Sequence, residues 1–116
     1  MIYKFHYTLD YEIHGNGDGN PISLMVEPTY RLMDMLEKYN QQLTIMADVA
    51  EILCFKRYWE NTGNDDFHVQ EIELQLCDAI RRGHDVQLHI HSSYFGAEWR
   101  DGHFDQCVEE YNMAAL

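Results

Sequence analysis

Arg81-Arg82-Gly83-His84-Asp85-Val86-Gln87-Leu88-His89-Ile90-His91-Ser92-Ser93 is the stretch whose reading decides the fold. Val86, Leu88 and Ile90 alternate with Gln87, His89 and His91, so a period-two strand would send its apolar residues to one face and both imidazoles to the other. Two residues apart on a strand, the histidines stand about 6 to 7 Å apart at Cα, a spacing that suits one shared metal ion. The arginines and Gly83 before this strand read as the end of a helix, with cations in its last turn and a glycine to stop it.

A second strand with the same character opens the chain. Ile2 to His14 is rich in aromatic and β-branched residues and runs into a glycine cluster. Thr8, Asp10, Glu12 and His14 fall on one side, and Leu9, Tyr11 and Ile13 on the other. Carboxylates at positions 10 and 12 of a hydrophobic strand are costly to bury without a compensating cation, and a metal shared with His89 and His91 would supply one.

Between these strands the chain alternates helices with one more strand. His14 to Pro21 is a loop, because its glycines and Asn/Asp residues tolerate positive φ. Asn16, Asp18, Asn20 and Glu27 sit at positions 1, 3, 5 and 12 of a calcium-loop pattern, but Pro21 stands where that pattern needs glycine. A helix is expected from Pro28 or Thr29 to about Tyr39, with Leu32, Met35 and Leu36 inward and Asn40 as the stop. Leu43 to Ala47 is a short buried strand, and Asp48 either faces the same cleft or caps the next helix, which runs to about Trp59. A loop over residues 61–66 precedes a helix from Val69 to Arg82 carrying Ile72, Leu76, Ala79 and Ile80 on one face. After the His-x-His strand, Ser92 to Gly102 reads as a loop and Phe104 to about Met113 as helical.

This order implies right-handed crossovers and a parallel sheet, with ligands gathering at the carboxyl ends of its strands. Asp10, Glu12, Asp48, His89 and His91 all fall there. The expected class is therefore α/β, built of parallel β/α units. Three parallel strands would leave sheet edges bare, so the chain is expected to be the first part of a larger barrel or to associate with a partner copy.

Composition narrows the partners. The 116 residues carry a formal charge of −12 and a pI near 4.7, which argues against nucleic acid and anionic membrane surfaces. No stretch reaches the length of a membrane span, and the N-terminus opens on a strand pattern instead of a leader, so a cytoplasmic location is expected. Cys54, Cys77 and Cys107 lack CxxC spacing and read as small buried residues in helices, reduced and unpaired.

Thr8-Leu9-Asp10-Tyr11-Glu12, Leu43 to Asp48 and above all Arg82-Gly83-His84-Asp85-Val86-Gln87-Leu88-His89 resemble the opening motifs of polysaccharide deacetylases. These are the NodB-homology carbohydrate esterases, irregular (β/α)7 barrels. The resemblance covers about residues 2 to 100. It implies a divalent metal, usually zinc, and removal of an acetyl group from an N-acetylated sugar. Carried over by position, Asp10 matches the family's general base and His89 its first metal histidine. The family's metal aspartate directly follows the base, whereas Tyr11 stands here; its second histidine lies four residues after the first, where this chain has Ser93. Glu12 and His91 are the substitutes that share a strand face with their neighbours, an arrangement similar to divergent branches with Asp-x-Glu and His-x-His. Whether Asp10 or Glu12 is the metal ligand stays open, because both point the same way. The family's later motifs have no match.

The expected mechanism places Asp10 as base and a metal on Glu12, His89 and His91; His14 and His103 read first as loop histidines, with proton donation to the leaving amine as the alternative role for either. Tyr94 and Trp99 are expected either to stack on a carbohydrate ring or to close the core. His84 is expected to be structural, and His6 and His68 belong to no constellation. Two other readings remain: a different metal hydrolase of amidohydrolase type, and a catalytically incomplete module that binds carbohydrate or protein through its sheet edge.

Overall fold

The computed structural model of the chain describes residues 1–13, 15–107 and 109. Three strands, β1 (Tyr7–Tyr11), β2 (Leu43–Asp48) and β3 (Asp85–His89), form one parallel sheet in the order β1-β2-β3. Helix α1 (Glu27–Glu37) joins β1 to β2, and α2 (Val49–Thr62) followed by α3 (Val69–Arg81) joins β2 to β3. The α/β class and the parallel pairing follow the sequence pattern. No helix among the described residues is long and apolar enough to cross a membrane.

The register explains which face is covered. Leu9 aligns with Ile45 and Val86, and Tyr11 with Ala47 and Leu88. Leu43, Ile45, Ala47 and Tyr11 are buried with Met33, Leu36, Phe55, Ile72 and Ala79 from the helices. On the alternate face Thr8, Asp10 and Gln87 are exposed while Thr44 and Met46 are half-buried. Leu88 shares the covered row yet is 61% exposed, because β3 is an outer strand and no further element among the described residues shields it.

Several buried polar groups find partners within this core. Tyr11 donates its hydroxyl proton to Gln75 Oε1 at 2.7 Å, and Gln75 Nε2 donates to the Val26 carbonyl at 2.7 Å. Asp48 caps α2 by accepting from the Ala50 and Glu51 amides, as the capping expectation had it, and Gly63 ends that helix at φ 76°. Asn40, at φ 53°, ends α1.

Several sequence expectations are corrected. The first strand starts at Tyr7 instead of Ile2, since Tyr7 already pairs with Leu43, the first residue of β2. In α1 the inward stripe is Thr29, Met33 and Leu36, leaving Met35 half exposed. In α3 Ile80 is 61% exposed and Gln75 takes an inward place beside Ile72 and Ala79. Cys77 is exposed, and Cys107 lies outside any helix.

The segment read as loop and helix after β3 is instead a short turn, Ser92–Tyr94, and an antiparallel hairpin of β4 (Glu98–Arg100) and β5 (His103–Asp105). Asp101 and Gly102, at φ 50° and 85°, make its two-residue turn, whose positive φ values match the twist of the strands. The rest of the expected helix lies largely outside the described residues. The glycine-rich loop after β1 is tied to this hairpin: Phe104 donates its amide to the Asn16 carbonyl at 2.6 Å, and a Cβ on Gly17 would meet the Phe104 and Trp99 rings at 2.9 Å.

Candidate metal centre

The carboxyl ends of the three strands meet in one row. Asp48 aligns with His89, and the step beyond Tyr11 and Ala47 brings Glu12 level with Asp48. Parallel strands ending together put these side chains on the same side, so Glu12 and His89 flank β2 from its two neighbours. His91, two residues past His89 in extended backbone, turns the same way and donates its amide to Asp48 Oδ1 at 3.3 Å.

The side chains converge. Glu12 Oε2 lies 2.9 Å from His91 Nε2 and 3.6 Å from His89 Nε2, and the imidazole rings are 4.8 Å apart at 71° to each other. One ligand atom from each of Glu12, His89 and His91 lies within 4.8 Å of the others, so this group could hold a metal ion. Tetrahedral zinc with ligands at about 2.0–2.2 Å spaces its ligand atoms about 3.4 Å apart, a value the two glutamate distances bracket. An ion pair between Glu12 and His91 would leave His89 Nε2 unserved: that atom is buried, has no hydrogen-bond partner among the described residues, and stands beyond hydrogen-bonding reach of the carboxylate. Two neutral nitrogens and one carboxylate also form a donor set common in catalytic zinc sites. The residues present therefore fit a divalent cation.

Of the two candidate carboxylates, Glu12 is the one that reaches the imidazoles. Asp10 is exposed one step back on the same side and lines, with Glu12, Leu24, Met25 and Pro28, a small cavity of about 120 Å³. Trp99 is half-buried against Tyr58, Phe67 and Phe104. It lines a larger cavity of about 600 Å³ with Arg57, Phe95 and Phe104, to which none of Glu12, His89 and His91 contributes. Tyr94 is 5% exposed and donates its hydroxyl proton to the Gly15 carbonyl at 2.9 Å, so it closes the core, one of the two roles expected for it. His103 lies on β5 beside Asp105, at 3.5 Å, and His14 lies outside the described residues. Asn20 of the calcium-like loop is used locally, its side chain accepting from the Ile22 amide.

Glu51 is the residue that sequence reasoning passed over. It is fully buried on α2, and its Oε2 accepts the Ile13 amide at 2.9 Å, fixing the backbone just after Glu12. Burial, reinforced by Asp48 and Glu12 nearby, pushes its carboxyl up to about 8 against the pull of the Ile13 amide and the Tyr94 hydroxyl. At neutral pH it thus keeps its proton. The Tyr94 hydroxyl, which donates to the Gly15 carbonyl at 2.9 Å, also reaches Glu51 Oε1 at 3.3 Å as a second acceptor. A signal was present: Glu51 occupies the apolar stripe of α2 with Cys54, Phe55 and Tyr58, three, four and seven residues on.

His84 fulfils its structural expectation. It is 5% exposed, accepts the Leu43 amide at Nδ1 (3.0 Å) and therefore donates from Nε2 to Glu37 at 2.9 Å.

Compared with known proteins, the chain matches no family model, no curated protein and no solved structure.

Proposed function

We propose that the chain is a metal-dependent hydrolase that removes acetyl groups from N-acetylated sugars, with zinc held by Glu12, His89 and His91. The observation that carries this reading is the convergence of the glutamate and both imidazoles, one of them with a buried nitrogen that has no hydrogen-bond partner among the described residues. The resemblance of residues 8–12 and 82–89 to deacetylase motifs supports the substrate class. A divalent cation at such a site supplies Lewis acidity, polarising a carbonyl oxygen and lowering the pKa of water toward about 7. The chain's own residues supply the rest: Glu12 and the imidazoles fix the cation, and Asp10, exposed beside them, accepts the proton of the attacking water. Glu51 and Tyr94 hold the backbone that presents Glu12.

Barrel architecture belongs to the same proposal. The parallel sheet supplies its first β/α units, and closure would draw strands from further chain or from a second copy beside β3.

Zinc titration followed by acetate assay tests the reading. One zinc per chain, lost in His89→Ala and His91→Ala, together with acetate release from N-acetylglucosamine oligomers, is the expected result. Failure to bind zinc overturns it; a stoichiometric zinc chain that releases no acetate overturns the deacetylase assignment and leaves a metal-binding module.

A further inference from the structure

Among the described residues, two buried side-chain polar atoms have no hydrogen-bond partner: His89 Nε2 and Asp48 Oδ2. They belong to residues aligned with each other on adjacent parallel strands. Their coincidence in one row is the observation to explain, because a buried polar atom without a partner is costly and rare.

Asp48 divides its work between its two oxygens. Oδ1 accepts three amides, those of Ala50, Glu51 and His91. That accounts for the helix cap and for the placement of His91, and it requires only a neutral acceptor. Nothing in that role needs the second oxygen. Yet the residue is fully buried, close enough to Glu51 for its charge to oppose ionisation there, and level with Glu12 and His89.

We propose that Asp48 is the second carboxylate of the metal centre, its Oδ2 facing the cation that Glu12, His89 and His91 hold. This inference rests on the metal-centre reading and adds to it. Asp48 stands outside the group whose ligand atoms mutually converge, so it acts on the cation's charge from behind Glu12 and the imidazoles and is a positioning residue. With Glu12 it brings two carboxylates to a site whose other donors are neutral, neutralising a divalent ion within the protein interior. Without the ion, the same oxygen is a source of instability.

Asp48→Asn separates the two oxygens, because it keeps the amide-accepting Oδ1 and replaces only Oδ2 with an uncharged group. Zinc affinity is read by competition with a chromophoric chelator, and the metal-free unfolding midpoint by circular dichroism. The expected result is an affinity lowered about 10–100-fold with a metal-free midpoint equal to or above that of the wild type. A residue that serves only as a cap would leave zinc affinity unchanged, and that outcome overturns this inference while the metal-centre reading stands. A wild-type chain that binds no zinc overturns both. Should Asp48→Asn fail to fold, the crystal structure of the zinc-loaded wild type decides: Oδ2 within about 6 Å of the ion supports the proposal, and a greater separation overturns it.

Discussion

Two clusters of histidine and acid sit at opposite ends of this sheet, and only one of them is complete. Ahead of β3, His84 has both ring nitrogens engaged, by the Leu43 amide and by Glu37, and Glu37 is in turn held by Arg82, which also pairs with Asp34. The guanidinium beside Glu37, helped by His84, holds its carboxyl down at about 2. Past the strands' other end, Glu12, Asp48 and Glu51 crowd together with His89 and His91, Glu12 pairs with imidazoles instead of a guanidinium, and among the described residues one nitrogen and one oxygen have no hydrogen-bond partner. The same residue types make a structural clasp where every group is matched and, where it is not, a group that could hold a metal ion. Unmet bonding capacity, more than the presence of histidine, distinguishes the two.

The most severe way to test the contrast is through chemistry. Asp10→Asn should lower acetate release about 10²–10⁴-fold while zinc still binds, because the proton acceptor we propose stands outside the ligand group. His89→Ala and His91→Ala should each abolish stoichiometric zinc, measured by metal analysis of the purified chain, whereas His84→Ala should leave zinc content untouched.

Stability then separates the ends by pH. The Glu51 carboxyl is raised from 4.5 to about 8 in the folded chain, so the folded state keeps a proton that the unfolded state releases. Its contribution is therefore fully present below about 4.5 and is lost as pH climbs through about 8. Denaturant titrations of the metal-free chain should show that decline, on the order of a few kcal/mol, and Glu51→Gln should flatten it. His84→Ala should cost about 1–3 kcal/mol at all neutral pH values, since it strands the buried Leu43 amide. Smallest is Glu37, whose carboxyl is exposed enough for solvent to screen it. Its lowered value adds stability above 4.5 that disappears as pH falls through about 2, so Glu37→Gln should alter only the acid limb of the stability curve.

The legible part of the site was the part written in strand period. Alternation over residues 8–12 and 86–91 placed Glu12, His89 and His91 on one side, and the sheet then brought them together. What escaped was held by tertiary contact. Gln75 looks like a surface residue until Tyr11 and the Val26 carbonyl claim its amide, and Glu51 looks like ordinary helix charge until Ile13 and Tyr94 enclose it. The hairpin was missed for a different reason. Asp101-Gly102 is a strong two-residue turn signal, but its strands are only three residues each and Phe104 was assigned to a helical run.

One hydroxyl links the chain's two distant contributions to the centre. Tyr94, just after His91, reaches the Gly15 carbonyl, just after Ile13, and Glu51 joins both segments from beneath. The donors are thereby gathered during folding itself, with the associated loss of chain entropy incurred before any ion arrives. On the metal-centre proposal, capture of a cation would then need little rearrangement, and its binding free energy would go into affinity in place of ordering the chain.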